Sequence, residues 1–308
     1  MNSPMDIPLI CVMGPTASGK TDLSLALAET LRGEVINADS MQVFRGLEIG
    51  TASPTPDERC RAPHHLFGIW DPTEEADAAR WAGLAAERCR EVSGRERIPI
   101  LVGGTFFWMR ALLEGLSEIP AIPTEVRRRV QDDLARMGPE ALHRMLVQVD
   151  PEAAARLQPQ DSQRVSRAIE VFLATGTPLL AFQRTPRVPF LRAQALRLAI
   201  DRSVEETRRR ISLRARRMFE EGLVEEVQRL LASGCPRDAR PLRTPSYAPV
   251  LDLLAGRCSP FEAMERVIVG HCQYAKRQRT WLRGEEGLIR VSGLEEARRA
   301  VAGFLPPR

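Results

Sequence analysis

The chain is nearly without lysine. Of its 44 basic residues only Lys20 and Lys276 are lysines, so arginine is the default cation. Arginine clusters therefore discriminate little, whereas a lysine marks a place where a compact ammonium is wanted over a planar guanidinium. Also missing is any run of about 18 apolar residues, which argues against a helical membrane span. The opening "MNSPMDIP" lacks the basic-then-apolar build of a secretory leader, so a cytoplasmic chain is expected. Six cysteines (Cys11, Cys60, Cys89, Cys235, Cys258, Cys272) form no C-x-x-C pair and are expected as reduced thiols, several of them buried. Cys272, His271 and the His64–His65 pair are not expected to hold zinc, because adjacent residues rarely ligate one ion well. There is no internal repeat and no low-complexity tract.

What is present is ordinary for a globular protein: 44% apolar and 27% charged residues in 308, enough for one large domain with an insertion. The first hundred residues alternate strand and helix. "LICVMG", "EVINAD" and "IPILVGG" read as buried strands, with helices at Asp22 to about Leu31 and at roughly Glu75 to Glu91. Near-continuous apolar strands separated by helices predict an α/β fold, a parallel sheet with helices on both faces. From about Ile119 the pattern becomes helical and is broken by Pro and Gly. A helix over "SQRVSRAIEVFLATG" follows, capped by Asp161 or Ser162 and stopped at Gly176. "ALRLAID" restores the sheet, "LIRVSG" suggests a last strand and "LEEARRAVAGF" a last helix. The expected division is a core domain at 1–118, a small all-helical insertion domain at 119–162, and the second part of the core at 163–308 with basic C-terminal helices.

The strongest local signal is "GPTASGKT", Gly14, Pro15, Thr16, Ala17, Ser18, Gly19, Lys20 and Thr21, between a strand and a helix. This G-x-x-x-x-G-K-[ST] pattern is a P-loop whose backbone amides and helix N-terminus receive phosphates. Lys20 supplies the point charge on the phosphoryl oxygens, Thr21 offers a hydroxyl to Mg²⁺, and Ser18 is a further donor. An NTPase also wants a carboxylate after a neighbouring strand. The third strand ends instead in two glycines. The available acid is Asp39, which closes "EVINAD" at the carboxyl edge of the sheet, the edge that carries the loop.

Two basic runs suit a polyanionic partner: Arg202 to Arg217, with seven arginines against two glutamates, and Gln273 to Arg283, with no acid. A solvated helix face accounts equally well for either run.

In order along the chain, "GPTASGKT", "DSMQVFRGLEIGTASP", "HHL", "VGGT…ALLEGL", "SQRVSRAIEV…TG.PL" and "QYAKRQRTWLR" resemble the tRNA dimethylallyltransferases, also called tRNA isopentenyltransferases. The resemblance runs from about Ile7 to Leu282. It implies transfer of a prenyl group from dimethylallyl diphosphate to N6 of the adenosine 3′-adjacent to the anticodon, so the loop would hold a diphosphate ester, with Mg²⁺ as cofactor. By that resemblance Asp39 is the base, Thr16 lies near the bridging oxygen and Arg214 clamps the diphosphate. Asp39, Ser40, Met41 and Gln42 would hold the target base once it leaves the stack. Thr105, Arg127 and the segment Gln163, Arg164, Val165, Ser166 and Arg167 would contact tRNA, as would the insertion domain. The implied partners are the tRNA anticodon stem-loop and dimethylallyl diphosphate, with no membrane, and the chain acting as a monomer.

Two stretches depart from the family's pattern. Phe106, Phe107 and Trp108 follow "VGGT" where the family has a small residue and a tyrosine; they either narrow the reactant channel or fill core, and core is the favoured expectation. "PSYAPV" keeps Tyr247 but loses a Gly and a Lys, so no tRNA contact is expected there. Three rival readings stand beside the resemblance: a small-molecule or nucleotide kinase, a prenyltransferase acting on free adenylates, and a non-catalytic RNA-binding module.

Overall fold

The computed structural model describes residues 6–305. The stretch 1–5, on which much of the expectation of a leaderless chain rests, lies outside them. The chain divides into two compact units, one of residues 6–113 and 190–305 and the other Glu114–Pro189.

The first unit is built on six parallel strands: β1 (Ile7–Met13), β2 (Gly33–Asn37), β3 (His64–His65), β4 (Ile98–Gly103), β5 (Ala193–Ile200) and β6 (Leu288–Val291). Their order is β3-β2-β4-β1-β5-β6. This is the parallel sheet the apolar runs predicted. Register places Ile10 beside Ile100, Val12 beside Leu198, and Ile36 beside Leu101. Because side chains alternate along a strand, Ile10, Val12, Ile100, Leu196 and Leu198 share one face. There they pack with Leu25 and Leu27 of α1 (Lys20–Leu31) and with Ala297 and Val301 of the terminal helix Leu294–Phe304. β3 and the one-and-a-half-turn helix α2 (Pro56–Arg61) escaped the sequence reading, since two and six residues are too short to show a period.

The helix expected at Glu75 to Glu91 is α3 (Ala78–Gly94), started by Asp77, whose side chain accepts from Arg80 N–H. Its Trp81 is fully buried and donates to Asn37 O at 2.9 Å. Trp81 stacks on Trp108 of α4 (Phe106–Glu114), with ring centroids 5.2 Å apart. Phe106 and Trp108 are core as expected, but Phe107 is half exposed, since the helical period turns it outward.

The second unit holds five helices, α5 (Thr124–Met137), α6 (Pro139–Val149), α7 (Pro151–Arg156), α8 (Ser162–Thr175) and α9 (Leu179–Gln183). Its limits correct the expected insertion of 119–162. Val165, Ala168 and Ile169 of α8 pack with Val130, Leu142 and Leu146, so α8 completes this helical core instead of returning to the sheet. Asp161 is the N-cap and Gly176 the left-handed stop, as expected.

The remaining helices of the first unit are α10 (Val204–Glu220), α11 (Leu223–Ala232), α12 (Ala248–Leu254), α13 (Pro260–Arg283) and α14 (Leu294–Phe304). Ser259 opens the 24-residue α13 with a capping box to Glu262 and with Pro260 in the first turn. Helix α13 packs along α10 through Ile211, Ala215, Val267, Ile268 and Ala275. Among the described residues no helix is long and apolar enough to cross a membrane.

Candidate active site

The strand order puts β4 between β1 and β2. The loop Gly14–Thr21 therefore stands on one side of the β4 terminus and Asp39 on the other. Within the loop, Ala17 (φ 60°) and Gly19 (φ 96°) adopt left-handed backbone, the alternation that builds a concave row of amides for an anion. A non-glycine there costs about 1 kcal/mol or more. Two arginines from the α10 side hold the strained turn: Arg210 Nε donates to Ala17 O at 2.8 Å and Arg202 Nε to Ser18 O at 2.6 Å. Neither was singled out from sequence, because in so arginine-rich a chain neither position stands out.

Lys20 is folded onto the loop, with Nζ donating to Gly14 O at 3.0 Å and Pro15 O at 2.9 Å. Burial lowers its pKa to about 8, with Asp39 opposing the shift and the Arg214 charge adding to it. Ser18 Oγ is fully buried and has no hydrogen-bond partner among the described residues. Arg214 reaches the loop from α10. Its Nη1 lies 3.4 Å from Thr16 Oγ1, and Nη2 donates to Thr51 O at 3.2 Å. Burial pulls the guanidinium pKa down from its ordinary value, against the pull of Asp39.

Asp39 lies two residues past the end of β2. Asn37 wraps its backbone, accepting from Asp39 N–H at 2.8 Å and donating to Asp39 O at 3.1 Å. Asp39 Oδ1 accepts from Met41 N–H at 2.9 Å, while Oδ2 lies 3.8 Å from the point where a Cβ on Gly104 would stand. One carboxylate oxygen thus orients the group and the other faces the β4 end. Beside it, Ser40 N–H donates to Thr105 Oγ1 at 2.9 Å, and Gln42 Nε2 donates to Ala52 O at 2.8 Å. Asp39, Ser40, Met41, Gln42 and Thr105 are all partly exposed.

The two glycines at the end of β4, Gly103 within it and Gly104 just after, bear on why no carboxylate follows that strand. A Cβ on Gly103 would lie 2.1 Å from Ala38 O, and one on Gly104 would lie 2.1 Å from Gln278 Nε2. The Ala38 backbone occupies the room an acid at Gly103 would need, and the Gln278 side chain lies where one at Gly104 would begin.

Gln278 is the residue that sequence reasoning passed over. Its Oε1 accepts from Thr16 N–H at 2.8 Å and its Nε2 donates to Gly104 O at 3.0 Å, tying the loop to the β4 end. It sat inside a run read as a basic surface. The helical spacing Val267, His271, Ala275, Gln278, Leu282 places it on the buried face of α13, and that period was there to be read. Lys276, Arg277 and Arg283 of the same helix are exposed. Tyr274 reaches Gly104 O at 3.5 Å, and burial and the Asp39 charge push its phenol up.

The other expected contacts lie in the second unit. Arg127 is partly buried on the first turns of α5, and Gln163 and Arg164 are exposed at the start of α8. Arg167 pairs with Glu170 at 3.6 Å. Val165 and Ser166 correct the expectation for this segment: Val165 is fully enclosed in the helical core and Ser166 is buried, because the helix period turns both inward. Their side chains present nothing to an RNA.

Comparison with known proteins bears on this arrangement. The family profile described as IPP transferase matches residues 42–285, and that described as isopentenyl transferase matches residues 5–62. A tRNA dimethylallyltransferase of Halorhodospira halophila is 44% identical over 290 residues, 94% of each chain. One of Geobacter metallireducens is 45% identical over 283 residues, 92% of each. The crystal structure of the full-length tRNA isopentenylpyrophosphate transferase of Bacillus halodurans matches with a TM-score of 0.71 at 33% identity, over 97% of this chain and 96% of that one. A eukaryotic dimethylallyltransferase solved while acting on tRNA matches with a TM-score of 0.76 at 27% identity, over 96% of this chain and 78% of its own.

Proposed function

The chain belongs to the tRNA dimethylallyltransferase family, and from that premise we propose that its P-loop holds the diphosphate of dimethylallyl diphosphate while Asp39 accepts the proton of an adenine amino group. The reaction is a prenyl transfer to tRNA. One observation supports this assignment of parts: a cationic, amide-lined loop and a carboxylate face each other across a strand end that carries no side chain.

The chemistry follows from the groups. The N6 lone pair of adenine is delocalised into the ring, which makes the amine a poor nucleophile. As N6 bonds to C1 of the allyl group, the C1–O bond breaks and pyrophosphate departs with the electron pair. The N6 proton passes to Asp39, whose free Oδ2 is the available acceptor. Charge accumulates on the leaving diphosphate, and donors set in advance around it lower the barrier. Lys20, Arg214, the loop amides and Ser18 Oγ are those donors. The target is the adenosine 3′-adjacent to the anticodon, held by Ser40, Met41 and Gln42 after extrusion from its stack.

Thr21, in the first turn of α1, would hold Mg²⁺. Among the described residues no three His, Cys, Asp or Glu side chains gather to cage a metal. The hydroxyl after a P-loop lysine is a known Mg²⁺ ligand beside phosphate oxygens and water, so Thr21 fits that part of the donor set. Bound there, the ion would neutralise charge on the diphosphate.

Incubation with Mg²⁺, dimethylallyl diphosphate and unmodified tRNA is expected to add one isopentenyl mass to an adenosine, read by mass spectrometry of the nucleosides. Labelling of free AMP as readily as tRNA would favour the adenylate prenyltransferase, and phosphate transfer from ATP would favour a kinase.

The lowered Lys20 pKa sets a pH dependence. The ammonium is charged below about pH 8 and is lost above it. Since kcat/KM reports the free enzyme, its value for the prenyl donor is expected to be level just below that pH and to fall about tenfold per unit above it. In Lys20→Arg, whose guanidinium does not titrate in this range, the bend near pH 8 should disappear. A profile that bends identically in both proteins would assign it to another group.

A further inference from the structure

Glu226, on α11, is 2% exposed and, among the described residues, its hydrogen-bond partners include no cationic side chain. Its carboxylate is saturated by neutral donors. Oε2 accepts from Glu48 N–H at 2.8 Å and Ile49 N–H at 2.7 Å, and Oε1 from Gly50 N–H at 3.1 Å and Tyr247 O–H at 2.9 Å. Three consecutive amides of the segment after the base-holding residues thus converge on one buried anion. The last of the three is also held through its carbonyl. Ser246 O–H donates to Gly50 O at 2.6 Å, and its oxygen lies 2.9 Å from His271 Nε2. Because the one hydroxyl proton goes to Gly50, His271 must donate through Nε2 and is the neutral tautomer with a bare Nδ1. Burial and the Arg214 charge, which lower its pKa to about 3, keep it so.

What this clasp presents is the Thr51 carbonyl. That oxygen accepts both Arg214 Nη2 at 3.2 Å and Gln42 Nε2 at 3.2 Å. One carbonyl therefore orients the arginine beside Thr16 and the glutamine of the segment next to Asp39. We propose that Glu226 is a positioning residue for prenyl transfer: by gathering the amides of Glu48, Ile49 and Gly50 it sets the Thr51 carbonyl, which aims Arg214 at the departing diphosphate. This rests on the reading of Arg214 as the diphosphate clamp. Glu226 touches neither substrate and acts only through the 48–51 segment.

A double-mutant cycle tests it. In Glu226→Gln the amide nitrogen must face either two N–H groups or Gly50 N–H and Tyr247, so the clasp loosens while its volume is kept. With tRNA saturating, kcat/KM for dimethylallyl diphosphate is expected to fall about 30-fold in Glu226→Gln and about 100-fold in Arg214→Gln. The double variant should stay within about threefold of Arg214→Gln, because the aim of an absent arginine no longer matters. Tyr247→Phe leaves all three amide bonds to Glu226 in place but removes the hydroxyl that also meets the Thr51 backbone, so its loss should be clearly smaller than that of Glu226→Gln, about tenfold at most. Multiplicative losses in the double variant, or a wild-type rate in Glu226→Gln, overturn the inference. So does a Tyr247→Phe loss equal to that of Glu226→Gln, which would place the effect in the Tyr247 hydroxyl and not in the amides that Glu226 gathers. A wild-type rate in Arg214→Gln instead overturns the clamp itself and separates the two failures. If Glu226→Gln does not fold, Ser246→Ala, which frees Gly50 O, takes its place in the cycle with the same expectations.

Discussion

Asp39→Asn is expected to lower the single-turnover rate about 10²–10⁴-fold while tRNA affinity changes by no more than about threefold. The substitution keeps the shape of the site. An asparagine Oδ1 still accepts from Met41 N–H, and the Asn37 bonds to the backbone at 39 do not involve the side chain. What disappears is the second carboxylate oxygen, the one facing the β4 end, and with it the acceptor for the N6 proton. Asp39→Ala removes the Met41 tether as well, so it should weaken tRNA binding in addition to slowing turnover. Rapid-quench transfer assays and filter binding, run on both variants, separate the two contributions. If Asp39→Asn lost affinity and rate in equal measure, Asp39 would be a positioning group and the base would lie elsewhere.

Gly103→Ala should cost about 3 kcal/mol or more of stability and abolish transfer. A Cβ at that position would stand 2.1 Å from Ala38 O and 2.2 Å from Ala38 C, both backbone atoms in the residue before Asp39. Nothing flexible can yield there. Ala38 N–H is bonded to Val102 O at 2.8 Å and Ala38 O receives Thr105 N–H at 3.2 Å, so the two segments are stitched at the point of collision. Gly104→Ala is the contrast. Its nearest atom is the end of the Gln278 side chain, which can swing aside, so the fold should survive while Thr16 N–H loses its acceptor. Urea denaturation midpoints with transfer assays distinguish the two. A Gly103→Ala protein that melts and works like the wild type would show that the approach of β4 to the Asp39 segment does not shape this site.

The same crowding argues against an acid at the end of β4. A side chain at Gly103 has no room against the Ala38 backbone, so the first glycine of "VGG" marks a structural requirement of this site. The rival kinase reading was weakened by the sequence, but the reason became visible only when Ala38 and Gln278 were seen beside those glycines.

Several elements were legible because their signals are local. The P-loop announces itself by residue types at fixed offsets between an apolar run and a helix. The parallel sheet follows from near-continuous apolar strands, and Asp39 from its place after one of them. The α8 caps were readable from Asp161 and Gly176, yet the same helix was assigned to the wrong unit. Caps depend on neighbours in sequence, whereas domain membership depends on which apolar face Val165, Ala168 and Ile169 find. Composition hid the rest. Arg202 and Arg210 grip the loop as Arg214 approaches it, but among so many arginines no position distinguished them. Glu226 shares the buried spacing of Leu223, Val227 and Leu230 and was open to notice as a charge among core positions.

The amino-acid sequence by itself determined that a phosphate-binding loop opens a parallel sheet and that an acid stands at the same edge. Backbone propensity and hydrophobic period act over a few residues, and those few residues are all the chain must display. Only the tertiary structure decided which polar groups serve the loop. Thr16 and Gln278 are 262 residues apart and Arg214 and Thr16 are 198 apart, so their meeting is set by the packing of α10 against α13 and of both beside the sheet. A contact of that range is a consequence of how buried faces fit together, and no short stretch of sequence carries it.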